Sequence, residues 1–455
     1  MLERKRKLDC ANGREKADLV LKNGNVLNVF TEEVLKADVA ICGDTIVGVG
    51  EYEGKEEIDC TGKYLVPGFI DAHMHIESCM AAPGELAKVL AKAGTTTIIA
   101  DPHEIVNVSG TKGMDYFLKC AAKLLVNVFF MVPSAVPATD VETNGCGEFL
   151  ASDMMKYVDN ARVLGLGETM RFMECCEGEK RMADKLELFA KKHIDGHAPG
   201  IRGKEVQAYR LAGVENDHEC STAEEVLDKL RAGLHIYVRE GSGAKNLETL
   251  IKTMLDAGVC LDRCAFCTDD KHVEEIRKEG HISTCIRKAI ALGVPVAKAY
   301  KMGSYQAAEF YGLKNYGAIG AGYRADIVFL DDLEQVRPLD VMKDGRILTE
   351  EDYAKDYSVP VPDELLHTVH VGEVTKEKIR LSCDGKTDVI QMNPHQIVTT
   401  HLVEEVPTEK RIFQIGWCIQ QDLRGRASWK DRGDRCCAAE RVWRQRRRSG
   451  DFRCT

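Results

Sequence analysis

The sequence predicts an α/β protein: a (β/α)8 TIM-like barrel inserted in a small β-sandwich domain and followed by an incomplete C-terminal α+β domain. Three observations carry this expectation. Eight short apolar runs, each ending in polar or turn residues, succeed one another as GFIDAHMHIE, TTTIIADPHE, NVFFMVPSAV, RVLGLGE, HIDGHAP, GVENDHE, LHIYVREGS and CAFCTDD. Eight is the number of strands that closes such a barrel. The segments between them include PGELAKVLAKAG, EKRMADKLELFAKK, TAEEVLDKLRAG and KNLETLIKTMLDAG, whose apolar residues recur at helical spacing. Gly94, Gly233 and Gly258 are placed to stop three of these helices. Finally, the short alternating strands of Ala17 to Val66 return in texture at 317–346 (GAIGAGYRADIVFLDD, VMKDGRI), as if one sheet were made by both flanks.

Strand alternating with helix implies a parallel sheet with right-handed crossovers. The expected division is therefore a β-domain of residues 1–66 and 311–365, a barrel of 67–310, the start of a further domain at 366–416, and an aberrant tail at 417–455. The tail stands apart in composition. It holds ten Arg and one Lys against four Asp and one Glu, all three Trp and four of the 18 Cys, within a chain whose net charge is −10.

Composition excludes several function classes. With 44% hydrophobic and 29% charged residues the chain reads as globular, and no segment reaches the ~18 apolar residues of a membrane span. The acidic balance offers no basic surface for nucleic acid. MLERKRKLDCANGREK is basic but lacks the apolar stretch of a secretory signal, so a cytoplasmic location is expected. The cysteines follow no framework spacing and are expected as reduced, mostly buried thiols. A homo-oligomer stays open.

In a closed parallel barrel all strand C-termini open onto one face, so residues distant in sequence converge there. His73 and His75 end the first run, with one residue between them, so both imidazoles can point to one side of a strand. Glu168 closes the fourth run, His197 the fifth, His218 the sixth and Asp269 the eighth. Six nitrogen and oxygen donors suit two divalent cations: His73, His75 and Asp269 for one, His197 and His218 for the other, Glu168 bridging. Two adjacent cations lower the pKa of a shared water and supply a nucleophile without serine or cysteine. One lone strand histidine is more often packed or exposed than ligating; the ordered set changes that weight. His75-Ile76-Glu77 with Cys264-Ala265-Phe266-Cys267 mimics the H-x-E and C-x-x-C of zinc nucleobase deaminases, but Arg263 stands where proline is expected, and core thiols are the plainer reading.

From about Ala17 to Gly416 the chain resembles the adenine deaminases of the amidohydrolase superfamily: VPGFIDAHMHIESCM, GTTTIIADPHEIVNV, FFMVPSAVPAT, GLGE, IDGHAPG, ENDHE and FCTDD follow that family's order. The resemblance implies hydrolysis of adenine to hypoxanthine and ammonia, with Mn2+ or Fe2+ as the metals and Zn2+ as a third choice. The amine must be protonated to leave as ammonia, so Asp269 is expected to take a proton from water while Asp101, His103 and Glu104 of DPHE protonate the ring or the leaving amine. Arg239, Glu240 and Ser242 close the seventh strand and are expected at the purine pocket, with Asp270 supporting the site beside Asp269.

Dihydroorotases and hydantoinases bridge their metals with a carbamylated lysine, where GLGE here supplies glutamate. An N-acetylglucosamine-6-phosphate deacetylase also uses glutamate and is the alternative enzyme; DPHE and ENDHE favour the deaminase. The rival from another class is a truncated, inactive deaminase chain. Members of the resembling family continue into a domain with a Ser-His-Asp-Ser-His-Asn segment absent here, and the tail after Gly416 is expected to be a translated frameshift.

Overall fold

The computed structural model describes residues 2–368 except 141 and 143, positions 372, 373 and 375, residues 386–405, and the two-residue strands Thr408–Glu409, Ile412–Phe413, Gln420–Gln421 and Ala427–Ser428. Apart from those strands, the predicted tail at 417–455 lies outside the described residues, as does most of 369–385 in the expected further domain.

The N-terminal flank forms β1 (Ala17–Asn28), β2 (Glu33–Cys42), β3 (Thr45–Gly50), β4 (Gly54–Asp59) and β5 (Tyr64–Pro67). Eight strands of the barrel follow: β6 (Phe69–Met74), β7 (Thr95–Ala100), β8 (Asn127–Val132), β9 (Val163–Leu166), β10 (His193–Ile194), β11 (Asn216–Asp217), β12 (His235–Arg239) and β13 (Cys264–Cys267). The chain then returns to the first sheet with β14 (Ile327–Leu330), β15 (Asp340–Lys343) and β16 (Arg346–Ile347). A separate antiparallel hairpin joins β17 (Lys386–Met392) to β18 (Thr399–Glu405).

Both flanks share one eight-stranded sheet, ordered β16-β15-β14-β5-β1-β2-β3 with β4 also on β1. The seam is β14 antiparallel to β5, with Val328 opposite Val66 and Phe329 opposite Leu65. Alternation decides what each face meets. Leu65, Ile327, Phe329 and Met342 pack with Val39, Ile41 and Ile46, so the sheet curls over its own apolar face. Their neighbours Val66, Val328 and Leu330 turn the other way, onto Phe69, Ile282, Ile286 and Tyr300 of the barrel.

The barrel strands are parallel throughout, in hydrogen-bonded arcs β6 to β10 and β11 to β13. Glu215 N to Ile194 O (3.0 Å) spans β10 to β11, and Asp269 N to His73 O (3.0 Å) spans β13 to β6, which closes the ring. Helices cover it. Helix Leu247–Asp256 buries Leu247, Leu250, Ile251 and Met254, an i, i+3, i+4, i+7 stripe. Gly258 then takes φ +62°, a left-handed conformation that ends the helix without a Cβ penalty. In helix Ala223–Arg231, Thr222 accepts from Glu225 N while the Glu225 carboxylate accepts from Thr222 N, a reciprocal cap. Each fully buried Leu, Ile or Phe contributes about 1.5–3 kcal/mol.

The barrel interior is filled, not open. Ile70, Ala72, Ile99, Met131, Tyr237, Ala265 and Cys267 pack against Ala307, Ala308, Tyr311 and Leu313 from beyond β13. His235, at the N-terminal end of β12, lies with its ring 4.5 Å from that of Phe310. Burial, and then the charge of Arg263, lower its pKa from 6.5 to about 4. The folded state thus refuses a proton that the unfolded chain accepts, so stability falls as pH drops from about 6.5 to 4. A His235→Gln variant should gain on the wild type across that window, with a constant difference above pH 7; parallel pH profiles of the unfolding midpoint would contradict this.

Helix Leu2–Ala11 was not foreseen. Of its residues only Cys10 is buried, so no apolar period announces it. Among the described residues every cysteine is a free thiol, and no helix is long and apolar enough to cross a membrane.

Candidate metal centre

Parallel strands deliver their last residues to one rim, and the polar ends of the eight runs meet there. On β6 the pairing with β7 shifts register between Asp71 and Met74. Such an irregularity re-aims side chains, and here His73 and His75 present their Nε2 atoms 3.2 Å apart. His75 Nδ1 lies 2.8 Å from Asp101 O; a proton donated there leaves the Nε2 lone pair free to face the rim.

Glu168, following β9, occupies the middle. Its Oε1 is 2.9 Å from His75 Nε2 and 3.2 Å from His73 Nε2. Its Oε2 is 2.5 Å from His197 Nδ1 and 3.4 Å from His218 Nε2. Asp269 Oδ1 lies 2.8 Å from His75 Nε2 and 3.7 Å from His73 Nε2. The rings of His73 and His218 stack at 4.1 Å. Donors held ~2.1 Å from one ion sit about 3.0–3.5 Å apart, so these separations match edges of coordination polyhedra. Three groups of closely spaced donor atoms share the Glu168 carboxylate: His73, His75, Glu168 and Asp269; Glu168, His197 and His218; and Asp101, His103 and Glu168.

Hydrogen bonding tests whether cations fit. His73 Nδ1, Glu168 Oε1, both ring nitrogens of His218 and Glu219 Oε2 are buried without a hydrogen-bond partner among the described residues. Buried polar atoms are seldom left so, and nitrogen lone pairs facing carboxylates are what divalent ions satisfy. Burial by itself would raise the carboxyls of Glu168 and Asp269. The imidazoles of His73, His75 and His218 around Glu168, and of His73 and His75 with Arg239 around Asp269, instead hold both well below the usual range. The residues present fit a divalent metal centre.

The DPHE residues lie beside it. His103 Nδ1 is 3.5 Å from Glu168 Oε1 and 3.7 Å from Asp101 Oδ1; its Nε2 is 3.4 Å from Glu104 Oε1. Asp101 Oδ2 accepts from Glu168 N (2.8 Å). Burial and the charge of Asp269 push the Asp270 carboxyl up.

The residues expected at the purine pocket are each held by protein partners. Arg239 is fully buried, and its guanidinium bonds Glu219, Asp269 Oδ2 (2.8 Å) and Asn246 Oδ1 (3.0 Å). Glu240 points away to Lys288 (2.6 Å). Ser242 Oγ donates to Glu275 (2.8 Å) and accepts from His272 N (2.9 Å). Each of the three has a protein partner. Cys264 and Cys267 are buried core thiols; burial pushes the former up to about 12 and the latter well above the usual thiol range.

Two residues were missed. Glu219 lies 3.4 Å from His218 and 3.5 Å from His197; burial opposes its charge, yet His197, His218 and Arg239 hold it down to about 2. Its position next to a histidine in ENDHE was the available signal. Glu77 is pushed up to about 7 by burial and Glu104, and it accepts from Ile105 N (3.0 Å).

A closed parallel barrel with histidines and carboxylates gathered at its C-terminal mouth is the architecture of a metal-dependent hydrolase. The amidohydrolase family pattern matches residues 64–348. The chain is 46% identical over 402 residues to the adenine deaminase of Desulfitobacterium hafniense (strain Y51), covering 88% of this chain and 70% of that protein. It is 43% identical over 413 residues to the adenine deaminase of Clostridium acetobutylicum (strain ATCC 824), covering 90% and 72%. This chain belongs to the adenine deaminases of the amidohydrolase family. Solved structures agree on the fold alone. Atrazine chlorohydrolase TrzN from Arthrobacter aurescens TC1, crystallised with zinc, aligns with TM-score 0.55 at 16% identity over 73% of this chain and 96% of its own. The β-aspartyl dipeptidase of Fervidobacterium islandicum AW-1 does so at 0.55 and 19%, over 73% and 96%.

Proposed function

We propose that this chain hydrolyses adenine to hypoxanthine and ammonia on a binuclear divalent centre, Mn2+ or Fe2+ before Zn2+. The observation that carries the reading is Glu168, one carboxylate oxygen on the His73/His75 pair and the other toward His197 and His218. On this reading His73, His75 and Asp269 hold one ion, His197 and His218 the other, and Glu168 bridges. Ions so held supply Lewis acidity and a water of lowered pKa.

The protein's part is to place and move protons. Asp269, kept anionic by its neighbours, accepts the proton of the attacking water. Adding water at C6 of the purine makes a tetrahedral carbon, and its amine departs only as ammonia. Asp101, His103 and Glu104, with His103 beside Glu168, protonate the ring nitrogen or the leaving amine, and the proton taken up by Asp269 replaces the one they give. The described free thiols favour a reducing, cytoplasmic setting. The division into a β-domain of 1–66 and 311–365 around a barrel of 67–310 belongs to the same reading.

The expected result is ammonia and hypoxanthine released in equal amounts from adenine, abolished by a chelator and restored by Mn2+ or Fe2+, with about two metal equivalents per chain. Metal uptake without ammonia release would instead identify an inactive deaminase chain.

A further inference from the structure

Two buried aspartates outside the ligand set share one arrangement. Asp71, two residues before His73, accepts from His73 N (3.1 Å) and from Thr268 N (3.2 Å), the backbone amide of the residue before Asp269. Its second oxygen takes Thr268 Oγ1 (2.5 Å) and faces His281 Nε2 (3.1 Å). Asp217, just before His218, accepts from Ala198 N (2.9 Å), the peptide just after His197, and from Glu219 N (2.8 Å), just after His218. Lys229 stands as its counter-ion (3.1 Å) and also donates to Ala198 O (2.7 Å). Asp71, Thr268, His281, Asp217 and Lys229 are all 0% exposed.

Each carboxylate therefore fastens two strand ends, and each end carries a ligand of the same half of the centre: β6 with β13 for His73 and Asp269, β10 with β11 for His197 and His218. Backbone donors flanking a ligand fix where its side chain begins, which a two-residue strand such as β10 or β11 cannot do alone. Burying a carboxylate costs several kcal/mol unless its lone pairs are satisfied, and here both oxygens of each aspartate accept. At Asp217 an amide could not substitute, because its NH2 group would face an N–H donor on either side; at Asp71 an amide keeps an oxygen on the two backbone N–H groups only by turning its NH2 group onto the Thr268 hydroxyl and His281 Nε2, with the anionic charge lost.

We infer that Asp71 and Asp217 are positioning residues, each setting the geometry of one half of the centre through the peptides beside its ligands. This rests on the two-ion reading above. The test uses metal-depleted full-length protein titrated with Co2+ and followed by visible absorption, with chelator competition for affinity. Asp217→Asn should weaken one equivalent about 10- to 100-fold, leave the other within twofold, alter the cobalt spectrum, and lower kcat with adenine KM little changed. Asp71→Asn should weaken the other equivalent. Adding His218→Ala should leave the Asp217→Asn loss non-additive and the Asp71→Asn loss additive.

A merely structural role would lower the unfolding midpoint while leaving cobalt affinity and spectrum alone. That result, or uniform weakening of both equivalents, or failure of both variants to fold, overturns the inference while the two-ion reading stands. Wild-type protein that takes up no Co2+ overturns both.

Discussion

Glu168→Gln should reduce kcat/KM for adenine by about three orders of magnitude, roughly 4 kcal/mol of barrier, and cut bound metal from two equivalents toward one. The amide is nearly the same size, so the effect is chemical. Glutamate offers an anionic oxygen to each histidine pair; glutamine offers one neutral oxygen and one NH2 donor. Whichever half meets the NH2 group loses an acceptor and gains a donor aimed at its cation. The charge lost is one that His73, His75 and His218 jointly stabilise in a fully buried position. Steady-state kinetics with metal analysis on the same preparation decides the matter: a Gln variant holding two metals at wild-type kcat would show that Glu168 does not bridge.

The second large effect concerns stability. Arg239→Met should destabilise the metal-depleted protein by about 3–5 kcal/mol, the usual cost of removing one partner from a buried ionic group. Its guanidinium lies between the Glu219 and Asp269 carboxylates, which without it would repel each other with almost no water to screen them. Arg239→Lys should recover only part of the loss, since an ammonium cannot span both carboxylates and Asn246 as the planar fork does. Urea denaturation in the presence of chelator measures this. A Met variant within 1 kcal/mol of the wild type would mean the two carboxylates are relieved by other means, such as proton uptake.

The same residue shows where sequence reading runs out. The candidate cluster was legible because the barrel imposes a rule: a strand's last residues face the common mouth, so His73, His75, Glu168, His197, His218 and Asp269 could be ordered without knowing any distance. Even β10 and β11, two residues each, were found, since their histidines marked them. Arg239, Glu240 and Ser242 obey the rule less simply. Successive strand residues face opposite ways, so Arg239 and Glu240 could not both face the same pocket, and Glu240 in fact leaves for Lys288 on a covering helix. That Arg239 serves two carboxylates depends on Glu219 and Asp269, 20 and 30 residues away, and on packing that no local pattern encodes. Helix Leu2–Ala11 escaped for the opposite reason: with one buried residue it lacks the apolar stripe by which helices are read.

The side chains that fill the barrel, from Ile70 and Met131 down to Tyr311 and Leu313, also have a kinetic consequence. A plugged barrel has one mouth. Adenine and water enter, and hypoxanthine and ammonia leave, through the same rim of loops, so a purine product still in place shuts out the next substrate. Turnover is then ordered by exit, and hypoxanthine should compete with adenine for the free enzyme.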